Sequence, residues 1–439
     1  MEQRFLPSMS PGLVRVTEAA RNNPGGLLSL AHHIDVAALR RSYTRVRNNA
    51  AVGVDGVTKE QYGEALEENL QDLHQRLKSQ RYRHQPIRRV FIDKEGGKKR
   101  PIGISALEDK LVQDSLRELL EAIYEQDFLD CSYGFRPGRS AHEALRSLNG
   151  AVHRGEVNVV LEADIVSFFD RIDRERLKEL LARRLADKSL MRLIGKCLHV
   201  GVLDEGVVTT PETGTVQGST LSPLLANVYL HYALDLWFEL EIKPQLKGKA
   251  ILVRYCDDFV MGFELGEDAE QVNQLLSNRF AAYGLELHPE KTRMVDFRRP
   301  PTRQHGGKGP GTFDLLGFTH YWKRSRRGNW HMAVKTRRAR LKRAIGSIHD
   351  WCRRHRHESI PAQHAALKRK LTGHFNYFGV RGNSRSIGVV AFFARRAWFK
   401  WLRRRSQRSR LTWKRFNDLL RDFPLSASPV TKSLWATNP

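Results

Sequence analysis

Cysteine is scarce in this chain. The four present, Cys131, Cys197, Cys256 and Cys352, are scattered and form no CxxC pair. That scatter excludes a disulfide framework and a cysteine-based structural zinc, and it fits a reducing compartment. Long apolar runs are also missing, since none approaches the ~20 residues that a bilayer-crossing helix needs. Residues 1–30 lack the charged-then-apolar layout of a secretory signal. A soluble intracellular chain with no membrane partner is the expectation. Acidic side chains are nearly absent from one region. Residues 301–439 hold 5 Asp+Glu against 32 Lys+Arg, whereas residues 1–300 hold 43 against 42. The whole net charge of +26 therefore lies in the last third. Such an imbalance points to a polyanionic partner, most commonly nucleic acid.

The 439 residues exceed one compact core and predict two to four subdomains. No period of 20–50 residues is visible, which excludes a solenoid. Residues 59–80 predict a long helix with Leu66, Leu70, Leu73 and Leu77 on one face. Residues 87–104 read as a hairpin turning at Gly96-Gly97. Residues 105–128 look helical, and 157–165 read as a buried strand followed by helical patterning to about 186. A loop over 209–218 leads into a helix with Ser222 as N-cap and Pro223 in its first turn. Residues 251–264 are two apolar runs around a polar tip, and 267–283 form an amphipathic helix. From about 335 the chain is basic and helical. Short strands with segregated helices place the fold in the α+β class.

Asp164 ends an apolar strand, and Asp257 and Asp258 sit at the tip between "ILVRYC" and "FVMGF". Adjacent carboxylates beside a buried sheet cost free energy unless a cation compensates them. Three of them brought together would make the oxygen-rich pocket that Mg²⁺ prefers. An acidic turn on a surface hairpin is the competing explanation for the Asp-Asp pair alone.

The blocks around these residues resemble those of reverse transcriptases. "YCDDFV" is similar to the Tyr-x-Asp-Asp box, with Cys256 at the x where Ala is more usual, "ADIVSFFDRID" to the first catalytic motif, and "GTVQGSTLSPLLANVYL" to the motif between them. "SYGFRPGRSAHEAL", "LELHPEKT", "FDLLGF" and the N-terminal "GVDGVT" resemble further blocks of the group II intron-encoded enzymes. "LTGHFNYFGVRGN" and "WFKWLRRRSQRSRLTW" resemble their maturase region. The resemblance runs from about residue 53 to 416 and, with 23 residues after Phe416, implies an endonuclease-lacking type in a bacterial cytoplasm, associated with a nucleoid or ribonucleoprotein.

The resemblance implies a right-hand polymerase. Its N-terminal extension and fingers would be 1–150, its palm 151–325 and its thumb 326–370, with a helical, basic, maturase-like RNA-binding region at 371–439. Asp164, Asp257 and Asp258, with the backbone carbonyl of Ile165, would hold two Mg²⁺ ions, for which Mn²⁺ can substitute. Phe169 would stack under the sugar and exclude a 2′-OH, leaving Phe168 as the core aromatic. Gln217 and Gly218 would line the incoming nucleotide, and Lys94 and Arg100 would clamp its triphosphate. Lys291 would protonate the leaving pyrophosphate. The expected partners are template or intron RNA, a DNA primer or target, and dNTPs.

In the basic third, residues 334–357 read as a thumb helix, with Arg337, Arg338 and Lys342 toward nucleic acid. Beyond it Phe375, Tyr377, Phe378, Trp398, Trp401 and Trp413 interleave with arginines. More than half of these aromatics are expected in a helix-bundle core. Arg403, Arg404, Arg405, Arg408 and Arg410 are expected on RNA, since so much like charge opposes folding without a polyanion. Two other functions stay open at this level. One is a non-catalytic maturase that uses the fold as an RNA clamp; the other is a domesticated reverse transcriptase in phage defence or repair.

Overall fold

The computed structural model describes residues 9–93, 99–204, 207–209, 214, 218–301, 310–325, 327–425 and 433–434. The chain divides into two compact units. Unit 1 comprises Met1–Ala144, Ala163–Met261 and Glu267–Arg293; unit 2 comprises Leu145–Glu162, Gly262–Gly266 and Met294–Pro439. The strands are β1 (Ile87–Asp93), β2 (Lys99–Ile104), β3 (Val159–Asp164), β4 (Val202–Asp204), β5 (Val207–Thr209), β6 (Ala250–Tyr255), β7 (Asp258–Phe263), β8 (Arg293–Asp296), β9 (Phe313–Leu315), β10 (Phe318–Arg324) and β11 (Trp330–Thr336). They form sheets of order β2-β1-β4-β5, β6-β7-β3-β8 and β11-β10-β9. The mixture of sheets and helices is the α+β class the sequence implied, and all four cysteines are free thiols. No helix among the described residues is long and apolar enough to cross a membrane.

The centre of unit 1 is the helix Leu107–Tyr124, whose Leu111, Leu116, Leu120 and Ile123 are fully buried. The helices Pro11–Asn22 and Val36–Arg45 pack on it. Arg41 and Arg45 reach across to Glu118 and Asp114, at 3.0 and 2.7 Å. The hairpin read at 87–104 is present, with antiparallel pairing from Arg88↔Ile104 to Asp93↔Lys99; the Gly96-Gly97 turn lies outside the described residues.

Three local readings need correction. The helix expected over 59–80 is two helices, Lys59–Gly63 and Leu66–Lys78. Gly63 abuts Tyr43 so closely that a Cβ there would lie 2.4 Å from the hydroxyl, and Asn69 Nδ2 donates to the Tyr62 carbonyl across the break. Ser222 is the first residue of its helix rather than the cap; Leu221 takes the cap position and no side chain caps it. The antiparallel β9–β11 sheet was not foreseen, and 334–336, expected as helix, belong to β11. Its strands alternate bulky buried residues such as Phe318, His320 and Trp322 with more exposed ones, and the charge of their surroundings obscured that period.

Unit 2 ends in the helices Arg338–Arg354, Ile360–Phe378, Ser384–Arg403 and Trp413–Asp422. Their shared core holds Leu367, Leu371, Phe375, Val390, Trp398 and Phe416. Phe375 and Trp398 are therefore core, Tyr377, Phe378 and Trp401 are half-buried, and Trp413 is exposed. Trp398 Nε1 donates to buried Gln363 Oε1 at 3.0 Å, and Gln363 Nε2 donates on to the carbonyls of Arg356 and Glu358. Trp398→Ala would leave both a cavity and an orphaned amide oxygen. It should lower stability by about 3–5 kcal/mol, whereas Trp398→Phe, which loses the hydrogen bond and keeps most of the volume, should cost about 1–3 kcal/mol. Urea denaturation followed by circular dichroism measures both; equal costs would show that packing contributes little.

Candidate active site

The site lies in unit 1, where β6 and β7 are joined by the two-residue turn Cys256-Asp257. β7 is hydrogen-bonded to β3, whose last residue is Asp164. Strand pairing thus carries Asp164 and the Asp257-Asp258 tip, distant in sequence, to one sheet. Asp257 lies within reach of the Asp164 charge: burial is the main cause raising the Asp257 carboxyl above its usual range, and Asp164 raises it further. Arg100 and the Cys256 thiol act in the opposite direction, which puts Arg100 of β2 in the same electrostatic environment. Asp258 begins β7 and is exposed.

Asp164 is ion-paired with Lys291 Nζ. Backbone geometry forces that meeting. Val166 N donates to Glu286 O at 2.9 Å, His288 N to Asp164 O at 2.7 Å, and Ile165 bridges Leu287, so the segment before Lys291 runs along the end of β3. Phe168 and Phe169 meet edge-to-face with ring centroids 5.4 Å apart. They are 2% and 9% exposed, so Phe169 is the less buried of the two. Gly218 has φ +109°, and a Cβ there would lie 2.4 Å from the Gly103 carbonyl of β2; only glycine lets the loop lie this close to the strand. Lys94 and Gln217 lie outside the described residues.

Among the described residues no three His, Cys, Asp or Glu side chains form a ready metal cage. The donor set nevertheless fits Mg²⁺, which takes hard oxygen ligands from one or two protein carboxylates and completes its shell with water and phosphate. Asp257, its carboxyl raised by burial and by the Asp164 charge, is the kind of carboxylate that a divalent cation stabilises.

Sequence reasoning missed what holds the turn. Arg254 of β6 is completely buried and directs Nε to Asp235 Oδ1 at 2.7 Å, one Nη to Asn227 Oδ1 at 2.9 Å and to Cys256 O at 3.1 Å, and the other to Ser132 Oγ at 2.8 Å. A second bond to Asp235 Oδ2 makes the pair bidentate. Asn227 Nδ2 donates onward to Gly134 O at 2.6 Å. Cys256 itself has φ +58°, a conformation disfavoured for a side-chain-bearing residue, and the Arg254 bond to its carbonyl helps to hold it there. The available signal was one arginine and one aspartate, each alone in an apolar run.

The basic residues expected on nucleic acid divide into two groups. Arg338, Lys342, Arg403, Arg404, Arg408 and Arg410 are exposed. Arg337 pairs with Asp314 at 3.0 Å, and Arg405 donates to the backbone carbonyls of Arg356 and Glu358. For Arg405, expected on RNA, this is a structural use of its fork.

Truncating one member of a buried ion pair strands the other charge. Arg254→Met and Asp235→Leu should each destabilise the protein by about 3–5 kcal/mol, and the double variant should recover much of that loss. Denaturant melts of the three variants measure the coupling; additive losses would mean that the two groups act separately.

Residues 92–320 match the family model described as reverse transcriptase (RNA-dependent DNA polymerase). Protein YkfC of Escherichia coli is 36% identical over 237 residues, covering 48% of this chain and 62% of YkfC. Group II intron-encoded protein LtrA of Lactococcus lactis is 37% identical over 203 residues, covering 46% of this chain and 34% of LtrA. An uncharacterized 91 kDa protein in the cob intron of Schizosaccharomyces pombe is 38% identical over 213 residues, covering 48% of this chain and 26% of its own length. The alignments thus span 26 to 62% of these relatives. With more than half of its length matched to the model, the chain belongs to the reverse transcriptase family and is related to group II intron-encoded proteins.

Proposed function

We propose that the chain is an RNA-directed DNA polymerase that extends a primer on an RNA template and also binds intron RNA and assists its splicing. One observation carries the polymerase reading: β3, which ends in Asp164, pairs with β7, which begins with Asp258, so the carboxylates from separate segments lie on one sheet inside the matched region. A pure RNA clamp has no need of clustered carboxylates on one sheet.

On this reading residues 1–150 are fingers, 151–325 palm, 326–370 thumb and 371–439 the maturase-like region. Asp164, Asp257, Asp258 and the Ile165 carbonyl would hold two Mg²⁺ ions, with Mn²⁺ as a substitute. When bound, the ions supply charge neutralisation at the α-phosphate and a lowered pKa at the primer hydroxyl. The remaining work falls to the protein. Arg100, with Lys94, binds the triphosphate as a fork on its oxygens. Gly218 and Gln217 would bound the nucleotide, and the missing Cβ of Gly218 lets that loop lie against β2. Phe169 excludes a 2′-OH by occupying its space. Lys291, ion-paired with the Asp164 carboxylate, would deliver a proton to the departing pyrophosphate. In-line attack by the primer 3′-OH then depends on positioning and fixed charge.

The exposed arginines 403, 404, 408 and 410, with Arg338 and Lys342, would track RNA phosphates. Arg404 also lies over the Trp401 ring, 5.7 Å from its centroid.

Asp257→Asn should reduce extension of oligo(dT) on poly(rA) by more than about 100-fold while RNA affinity stays within about twofold; equal loss of both would refute the division of labour. Replacing Arg403 and Arg404 together by Gln should lower the salt slope of RNA affinity by about 1.5, since each neutralised phosphate contributes about 0.7–0.9. Filter-binding titrations across salt concentrations measure it, and an unchanged slope would place both side chains away from RNA.

A further inference from the structure

Phe135 is 57% exposed although its backbone has φ +57°. For a bulky L-residue this region is sterically disfavoured, and an exposed phenyl ring gains little through burial to offset it. The chain on both sides enforces the conformation. Tyr133 N donates to Arg254 O and Arg254 N to Cys131 O, each at 2.8 Å, and Asn227 holds the Gly134 carbonyl. Gly134 lies so close to the catalytic turn that a Cβ would fall 2.4 Å from Cys256 N. On the other side the buried Arg136 guanidinium bonds the carbonyls of Leu129 and Ser132, at 2.7 and 2.9 Å, and the Glu125 carboxylate at 3.0 Å. The Phe135 ring centroid lies 6.0 Å from that of Tyr255, the residue preceding the turn.

Strain that the surroundings over-determine, on a side chain left in solvent, points to a ligand. We propose that Phe135 and Tyr255 form one apolar face that packs against a base or sugar at the end of the primer–template duplex, fixing the terminus presented to Asp257 and Asp258. The proposal rests on the polymerase reading above. Its occupant follows from position, because the face is continuous with the turn that carries the carboxylates. A flat apolar surface suits a nucleobase, and contacts of this kind contribute about 5- to 150-fold in affinity per base.

The test separates a ligand contact from a structural role. Phe135→Gly relieves the positive φ, so its melting temperature should equal or exceed that of the parent. Its Kd for a primer–template, by fluorescence anisotropy, and its KM for the same duplex should rise about tenfold, with the KM for dTTP within about twofold. Phe135→Leu should restore part of the affinity. An unchanged duplex affinity, an effect confined to dTTP, or a fall in melting temperature with a parallel loss of all activity would each overturn the proposal. Abasic substitution at the primer 3′ terminus, or at its template partner, identifies the strand touched. The abasic penalty should shrink in Phe135→Gly for that strand, and coupling to neither strand also overturns the proposal. Extension by the unaltered chain decides the polymerase reading separately, because the anisotropy measurement does not require turnover.

Discussion

A single buried guanidinium organises the candidate active site. Arg254 has its donors arranged around Asp235, Asn227, Ser132 and the Cys256 carbonyl. A charge so far from water is tolerated only when its bonds are complete. The fork therefore dictates where the partner elements stand: the helix Ser222–Leu230 through Asn227, the π-helical turn after it through Asp235, and the 131–136 segment through Ser132. What the fork holds is a turn with a non-glycine positive φ at Cys256. The turn that carries Asp257 is thus held by a buried group that bonds its backbone.

The site works by balancing opposed charges. Burial pushes the Asp257 carboxyl toward its neutral form and the Asp164 charge adds to that, while Arg100 pulls it back. Lys291 sits on Asp164. Carboxylates set side by side in this way are of the kind a hard cation compensates. The same economy runs through unit 2. There Arg405 satisfies backbone carbonyls while Arg403, Arg404, Arg408 and Arg410 remain exposed. A cluster that looks uniform in sequence is thus divided between structural and exposed positions.

Several features could be read from the sequence because they depend on local chemistry. The pairing of the 87–93 and 99–104 strands follows from alternation in the two runs. The Asp164 strand end and the Asp-Asp tip follow from polar residues closing apolar runs. The charge imbalance follows from composition. The broken helix at Gly63, the cap at Leu221 and the β9–β11 sheet were not legible in this way, because each depends on what a residue meets from elsewhere in the chain.

Residue order by itself determined the α+β class, the strands and turn that carry Asp164, Asp257 and Asp258, and the concentration of positive charge in the last third. Periodicity and charge are properties of neighbouring residues, and a sequence displays them directly. Only the tertiary structure decided that Arg254 and Asp235 pair, that Lys291 reaches Asp164, that Arg405 turns inward, and that Phe135 stands strained and exposed beside Tyr255. Those outcomes depend on distances between segments up to about a hundred residues or more apart. Burial selects such pairings, since an unpaired buried charge is too costly to leave.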